Sequence, residues 1–263
     1  MLKNIILIIV ILGVTTFIYM KKDTGEMKNS EMLSGNGMAV VSEEVDYFEN
    51  VMGLYAHPEK EGEYPGVVMI HEWWGLNDNI KDMARELAKE GYRVLAVDLF
   101  GTVATTADEA RSQTSALDQV KALENLKAAV NFLRQAGTLK VASLGWCFGG
   151  GQSLQLALSG ENLSATVIYY GQLVTDSTRL SAIKWPVLGI FGEADTSIPV
   201  ETVDSFGQAL TSLGIENSIN KYPGVGHAFA NPSGMNYAPE ETKDAWAKTL
   251  EFLKKNLYEA QSK

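Results

Sequence analysis

One cysteine supplies all the thiol chemistry in these 263 residues, and there are only three histidines. A single cysteine cannot form an internal disulfide or build a cysteine-rich zinc site. His71-Glu72 opens like the zinc-binding H-E-x-x-H pattern, but Gly75 stands where the second histidine belongs, so no metal and no other cofactor is expected. Basic residues are scarce as well: 22 Lys and Arg against 32 Asp and Glu give a net charge of −10. Such a surface repels phosphate backbones, which argues against a nucleic-acid partner. Internal repeats and low-complexity tracts are lacking.

Only one long apolar run is present. It is uncharged from Asn4 to Met20, with Lys3 before it and Lys21 and Lys22 after it. As a helix, Ile5 to Met20 would span about 24 Å at a rise of about 1.5 Å per residue, against a bilayer core of about 30 Å. The flanking lysines can snorkel to make up the difference. Neither an A-x-A cleavage site nor a lipobox cysteine accompanies the run. Residues 1–22 therefore read as a hydrophobic helix acting as an uncleaved anchor, with a cleaved signal segment as the alternative. Either one makes the protein membrane-anchored or exported, and expected outside the cytoplasm. Residues 23–39, DTGEMKNSEMLSGNGMA, read as a polar linker.

Regular patterning starts at Val40. The spacing predicts strands at 40–48 and 51–57 joined by a tight turn at Glu49-Asn50, then buried strands at 65–71, 93–100, 139–145, 165–171 and 186–192, and a short strand at 218–222. Helical spacing falls at 77–92, 107–115, 118–136, 149–158 and 200–213, and from Pro239 onward, where Trp246, Leu250, Leu253 and Leu257 form one apolar face. Strands alternating with helices imply a mostly parallel sheet covered on both faces. With two antiparallel strands in front, residues 40–263 suit an α/β-hydrolase fold, whose chemistry sits on loops past the carboxyl ends of the strands.

The cysteine lies in GWCFGG, residues 145–150. G-x-C-x-G is the nucleophile-elbow pattern with cysteine in place of serine. Glycine is needed there because the chain reverses sharply from strand to helix, and side chains two residues either side would collide. The following helix points its N-terminus at the sulfur, which favours thiolate. Chance alone puts G-x-[SC]-x-G in roughly one chain in ten of this length, so the motif by itself leaves open an inert cysteine packed at a helix start.

A nucleophile needs a base. His57 ends an outer strand and reads as a surface residue; His71, at the end of the first buried strand, is better suited to holding a loop. His227, in the loop YPGVGHAFAN after the last strand, is placed to reach the strand ends. The loop FGEADTSIP offers Glu193 and Asp195 as the acid that orients the base. The order Cys147, Asp195, His227 is nucleophile, acid, base, the order of this fold.

These segments together resemble the dienelactone hydrolase family. The resemblance covers most of residues 40–257 and rests on VVMIHEWWGLN (67–77), VLAVDLFG (94–101), SLGWCFGGG (143–151), FGEADTSIP (191–199) and YPGVGHAF (222–229). It implies a carboxymethylenebutenolidase-like hydrolase of carboxylic esters or lactones, working through a thioester, with Cys147 as nucleophile, His227 as base and Asp195 as its partner. It also implies that Glu72 contacts the resting cysteine and keeps it protonated until substrate displaces the carboxylate. Two arginines that hold a substrate carboxylate in that family are replaced by Thr102 and Asn231, so the resemblance does not extend to an anionic substrate. The backbone N–H groups of Phe148 and Trp73 are the expected oxyanion donors. Trp74, Trp146 and Tyr170, with Trp73, are candidates for an apolar pocket or equally for scaffold. The expected partner is a small ester or lactone, bound by a monomer. A non-catalytic binding protein tethered to a membrane, and a peptidase or thioesterase of the same fold, are the alternatives.

Overall fold

A computed structural model of the chain describes residues 37–258. The hydrophobic segment 1–22 and linker residues 23–36 lie outside the described residues. Among those described, no helix is long and apolar enough to cross a membrane.

Eight strands form one sheet in the order β1-β2-β4-β3-β5-β6-β7-β8. Antiparallel β1 (Val40–Phe48) and β2 (Val51–Pro58) turn at Glu49 and Asn50. Both turn residues have positive φ, as a tight hairpin turn of this hand requires. Strand β2 lies antiparallel on β4 (Arg93–Val97). From there the sheet is parallel through β3 (Gly66–Ile70), β5 (Val141–Trp146), β6 (Ala165–Tyr169), β7 (Val187–Gly192) and β8 (Asn217–Tyr222).

The helices are α1 (Asp78–Lys89), α2 (Ala107–Ser115), α3 (Gln119–Gln135), α4 (Phe148–Leu158), a single turn α5 (Ser177–Leu180), α6 (Val200–Ser212) and α7 (Pro239–Leu257). Asn77 caps α1 by accepting the Ile80 N–H, Thr106 and Glu109 form a capping box on α2, and Asp118 caps α3. Successive strand residues point to opposite faces. Val67 and Met69 join Leu87 of α1 and Trp246 and Leu253 of α7 in one core; Val68 and Ile70 join Val130 and Leu133 of α3 and Phe206 of α6 in the other. The α/β-hydrolase architecture expected from the alternation is present. Strand β4 stops short of the predicted 93–100 because the Asp98 carboxylate accepts the N–H groups of Phe100 and Gly101 and turns the chain out of the sheet.

Candidate active site

The chain leaves β5 at Trp146 and enters α4 at Phe148, so Cys147 alone makes the reversal. Its backbone sits at φ 53° and ψ −116°, a conformation that side chains disfavour. The elbow closes because its glycines touch backbone to backbone. A Cβ on Gly145 would lie 2.1 Å from the Gly149 carbonyl oxygen, and one on Gly149 would lie 2.3 Å from the Ile70 carbonyl oxygen at the end of β3. This close approach seats the start of α4 against the neighbouring strand and fixes where the sulfur stands.

Two loops deliver its partners. His227, in the loop after β8, places Nε2 3.1 Å from Cys147 Sγ. Its Nδ1 lies 2.7 Å from Asp195 Oδ2. Asp195, in the loop after β7, is buried, and its Oδ1 accepts the N–H groups of Ser197 and Ile198, which lock the carboxylate in place. Glu193, the other acid of that loop, is exposed. Burial alone would lower the imidazole pKa, but hydrogen bonds to Asp195 and Cys147, with their charges, raise it to about 10. Near neutral pH His227 therefore holds a proton between sulfur and carboxylate.

His71 holds a loop, as the sequence suggests, while His57 is less exposed than expected. His71 is buried; its Nδ1 donates to the Glu72 carbonyl and its Nε2 accepts the Leu99 N–H. It ties the loop after β3 to the loop after β4. Burial lowers its pKa, consistent with a neutral ring. His57 is half-buried on β2 and bonds the Pro58 carbonyl.

Five expectations need correction. Glu72 makes no hydrogen bond to Cys147: its Oε2 accepts from Asn231 Nδ2, while the sulfur is bonded to His227. Asn231 does not line the cleft of the thiol; its amide holds Glu72 and its Oδ1 accepts the Ser233 N–H. Thr102 and Trp74 are also absent from that cleft. Thr102 bonds Gln113 beside a separate surface hollow, and Trp74 packs edge-on against Trp73 while its carbonyl accepts the Ala104 N–H. Trp146 leaves β5 toward the α1 and α7 side, where it borders an internal cavity.

The cleft over Cys147 has a volume of about 330 Å³. Trp73, Phe148, Tyr170 and Ile198 give it apolar walls, and Gln119, Gln152, Gln155 and Gln172 add amides. Gln119 and Gln152 bond each other reciprocally, at 2.8 and 2.9 Å. Neither lysine nor arginine lines the cleft. These glutamines were not singled out in the sequence: Gln152 and Gln155 lie within a turn of each other on α4, but no local pattern marks Gln119. Gln113 is a further residue the sequence did not mark; its amide clamps the Trp73 carbonyl at 2.6 Å.

A sequence profile described as the dienelactone hydrolase family matches residues 51–257. The chain belongs to the dienelactone hydrolase family. Among curated relatives, a protein provisionally named carboxymethylenebutenolidase from Methylorubrum extorquens is 30% identical, over 83% of this chain and 82% of its own. One of the same provisional name from Yersinia pestis is 31% identical, over 75% and 81%. Among solved structures, a dienelactone hydrolase-like promiscuous phosphotriesterase from metagenomic libraries superimposes with a TM-score of 0.76 at 26% identity, covering 83% of this chain and 99% of that one. A chain from Klebsiella pneumoniae, provisionally named a dienelactone hydrolase, gives a TM-score of 0.74 at 27% identity, covering 81% and 98%.

Proposed function

We propose that this member of the family hydrolyses uncharged carboxylic esters or lactones through a thioester on Cys147. The observation that carries the reading is the unbroken relay from Cys147 Sγ through His227 to the buried Asp195. With the proton already on His227, the sulfur attacks the carbonyl carbon. The backbone N–H of Phe148, one of those a helix start leaves unpaired, and that of Trp73 receive the oxyanion, each worth about 3 kcal/mol in comparable sites. His227 passes its proton to the departing alkoxide and leaves the acyl group on sulfur. Water then attacks the thioester and gives a proton to the now neutral His227, and the sulfur departs. The net change is ester plus water to acid plus alcohol.

The lining of the cleft supports the uncharged substrate. A carboxylate on the substrate would meet no lysine or arginine among the walls, and the protein's net charge of −10 would repel it. The metagenomic relative is named for phosphotriesters, which are also uncharged. Neutral p-nitrophenyl acyl esters are expected to exceed carboxylate-bearing analogues of equal length by about tenfold or more in kcat/KM, the cost of desolvating an unpaired charge. Equal or better turnover of the anionic esters would sink the uncharged-substrate reading. Absence of turnover across esters and lactones, with neither a burst nor alkylation of Cys147 by iodoacetamide, would sink the enzyme.

Residues 1–22 are proposed to hold the enzyme at a membrane, on the strength of the uncharged run from Asn4 to Met20 between lysines. The full chain is expected in the membrane fraction, with its N-terminal mass intact, and a chain lacking residues 1–22 in the soluble fraction. Recovery of the expressed full chain in the soluble fraction, with an N-terminus past residue 22, would overturn the anchor.

A further inference from the structure

Glu72 borders a hollow with Trp146, Tyr170, Asn231, Asn79 and Trp246, and neither Cys147 nor His227 lines it. About 10 Å³ of it is open to the centre of a water-sized sphere, which is close to what one water requires. Two buried polar atoms on residues that border this hollow lack a hydrogen-bond partner of good geometry: Glu72 Oε1 and Tyr170 Oη, whose oxygen is approached by the Ala230 N–H while its own hydrogen has no acceptor. Buried polar groups are almost always paired, so two unpaired atoms around one water-sized space point to a shared ligand.

We propose that a single water, accepting from the Tyr170 hydroxyl and donating to Glu72 Oε1, is a structural part of this site. Tyr170 then acts through it as a positioning residue that keeps Glu72 turned from the sulfur. Asn79 borders the same hollow and offers an amide to the water's remaining hydrogen or lone pair. Tyr170 can do this because it cannot swing. Its backbone is held at φ 35°, its N–H is bonded to the Ile190 carbonyl at 2.7 Å, and its ring packs edge-on against Tyr169, His227 and Phe229. Burial, with the charges of Glu72 and Cys147, keeps the phenol protonated and so a donor. With Oε2 on Asn231 and Oε1 on the water, both oxygens of Glu72 are held by partners other than Cys147.

Removing the Tyr170 hydroxyl therefore has a readable consequence. Burial raises the Glu72 pKa to about 7, while the Asn231 bond and the His227 charge oppose the rise. The titratable groups around it are His227, whose charge it feels, Tyr170 and Tyr169, which border the same hollow, and Cys147, whose charge reaches Tyr170. Around the hollow, α1 and α7 present only uncharged side chains. A donor lost from the carboxylate side raises the pH at which Glu72 ionises.

The inference rests on reading Cys147 as the nucleophile, but its test needs no turnover. A high-resolution crystal structure of the chain should show one ordered water within hydrogen-bond distance of both atoms. The pH profile of Cys147 alkylation by iodoacetamide should carry a near-neutral inflection that moves up by about one pH unit in Tyr170→Phe. In a Glu72→Gln background the same substitution should move nothing, since the coupling runs through the carboxylate. Absence of that water, or an equal effect of Tyr170→Phe in both backgrounds, overturns the proposal. Failure of ester hydrolysis alongside these results would strike only the functional reading.

Discussion

Cys147→Ala is expected to lower kcat on a neutral p-nitrophenyl ester by about four to six orders of magnitude, as loss of a nucleophile does in comparable relays. The thermal midpoint should barely move. Cys147 is half-buried, alanine bears the same φ of 53° at no greater cost, and the elbow is shaped by its neighbours. His227→Ala should fall nearly as far, and the double variant should cost little more than either single one, because relay members act as a unit. Steady-state and burst kinetics on the purified variants measure all three. Residual turnover above about one per cent in Cys147→Ala would mean that water attacks the ester directly and that the sulfur is a bystander.

Among the described glycines, Gly145 makes the closest approach, and Gly145→Ala should be strongly damaging. Its Cβ would sit 2.1 Å from the Gly149 carbonyl oxygen. That oxygen cannot retreat, because Gly149 is itself pressed on the end of β3, with room for no side chain before the Ile70 carbonyl. Relief requires shifting a central strand or the start of α4, at a cost of about 3 kcal/mol or more. In a domain of this size that lowers the melting temperature by about 6–12 °C. Gly151→Ala is the control. There the nearest atom is 3.5 Å from the new Cβ and the residue lies in α4, so alanine's helix preference should hold or raise stability. A Gly145→Ala midpoint within about 2 °C of the parent would show that the elbow yields more easily than its contacts indicate.

What the sequence discloses is what repeats along it or follows a fixed order. Alternation along Val67 to Ile70 and helical spacing in α1 and α7 are local, so sheet and layers could be read. Cys147, Asp195 and His227 could be read because each follows a strand and their order belongs to the fold. Pairings across long separations could not. Glu72 and Asn231 are 159 residues apart, and nothing near either announces that they bond. The reciprocal Gln119–Gln152 pair is hidden for the same reason. Tryptophans were marked by size, yet only the meeting of loops decides which one faces the thiol. Trp73 borders the cleft while adjacent Trp74 does not. The early end of β4 was missed because one side chain, Asp98, outweighs the apolar run beyond it.

Among the described residues, five non-glycine residues have positive φ, and three of them, Cys147, Tyr170 and Ala228, lie at or beside the relay. At each, backbone geometry is set by packing around it rather than by its own side chain. Exchange of sulfur for oxygen at 147 therefore asks nothing of the fold. Descent within such a scaffold can change nucleophile in a single step and re-line the walls afterwards. The relay thus rests on backbone held where most residues would not choose to be.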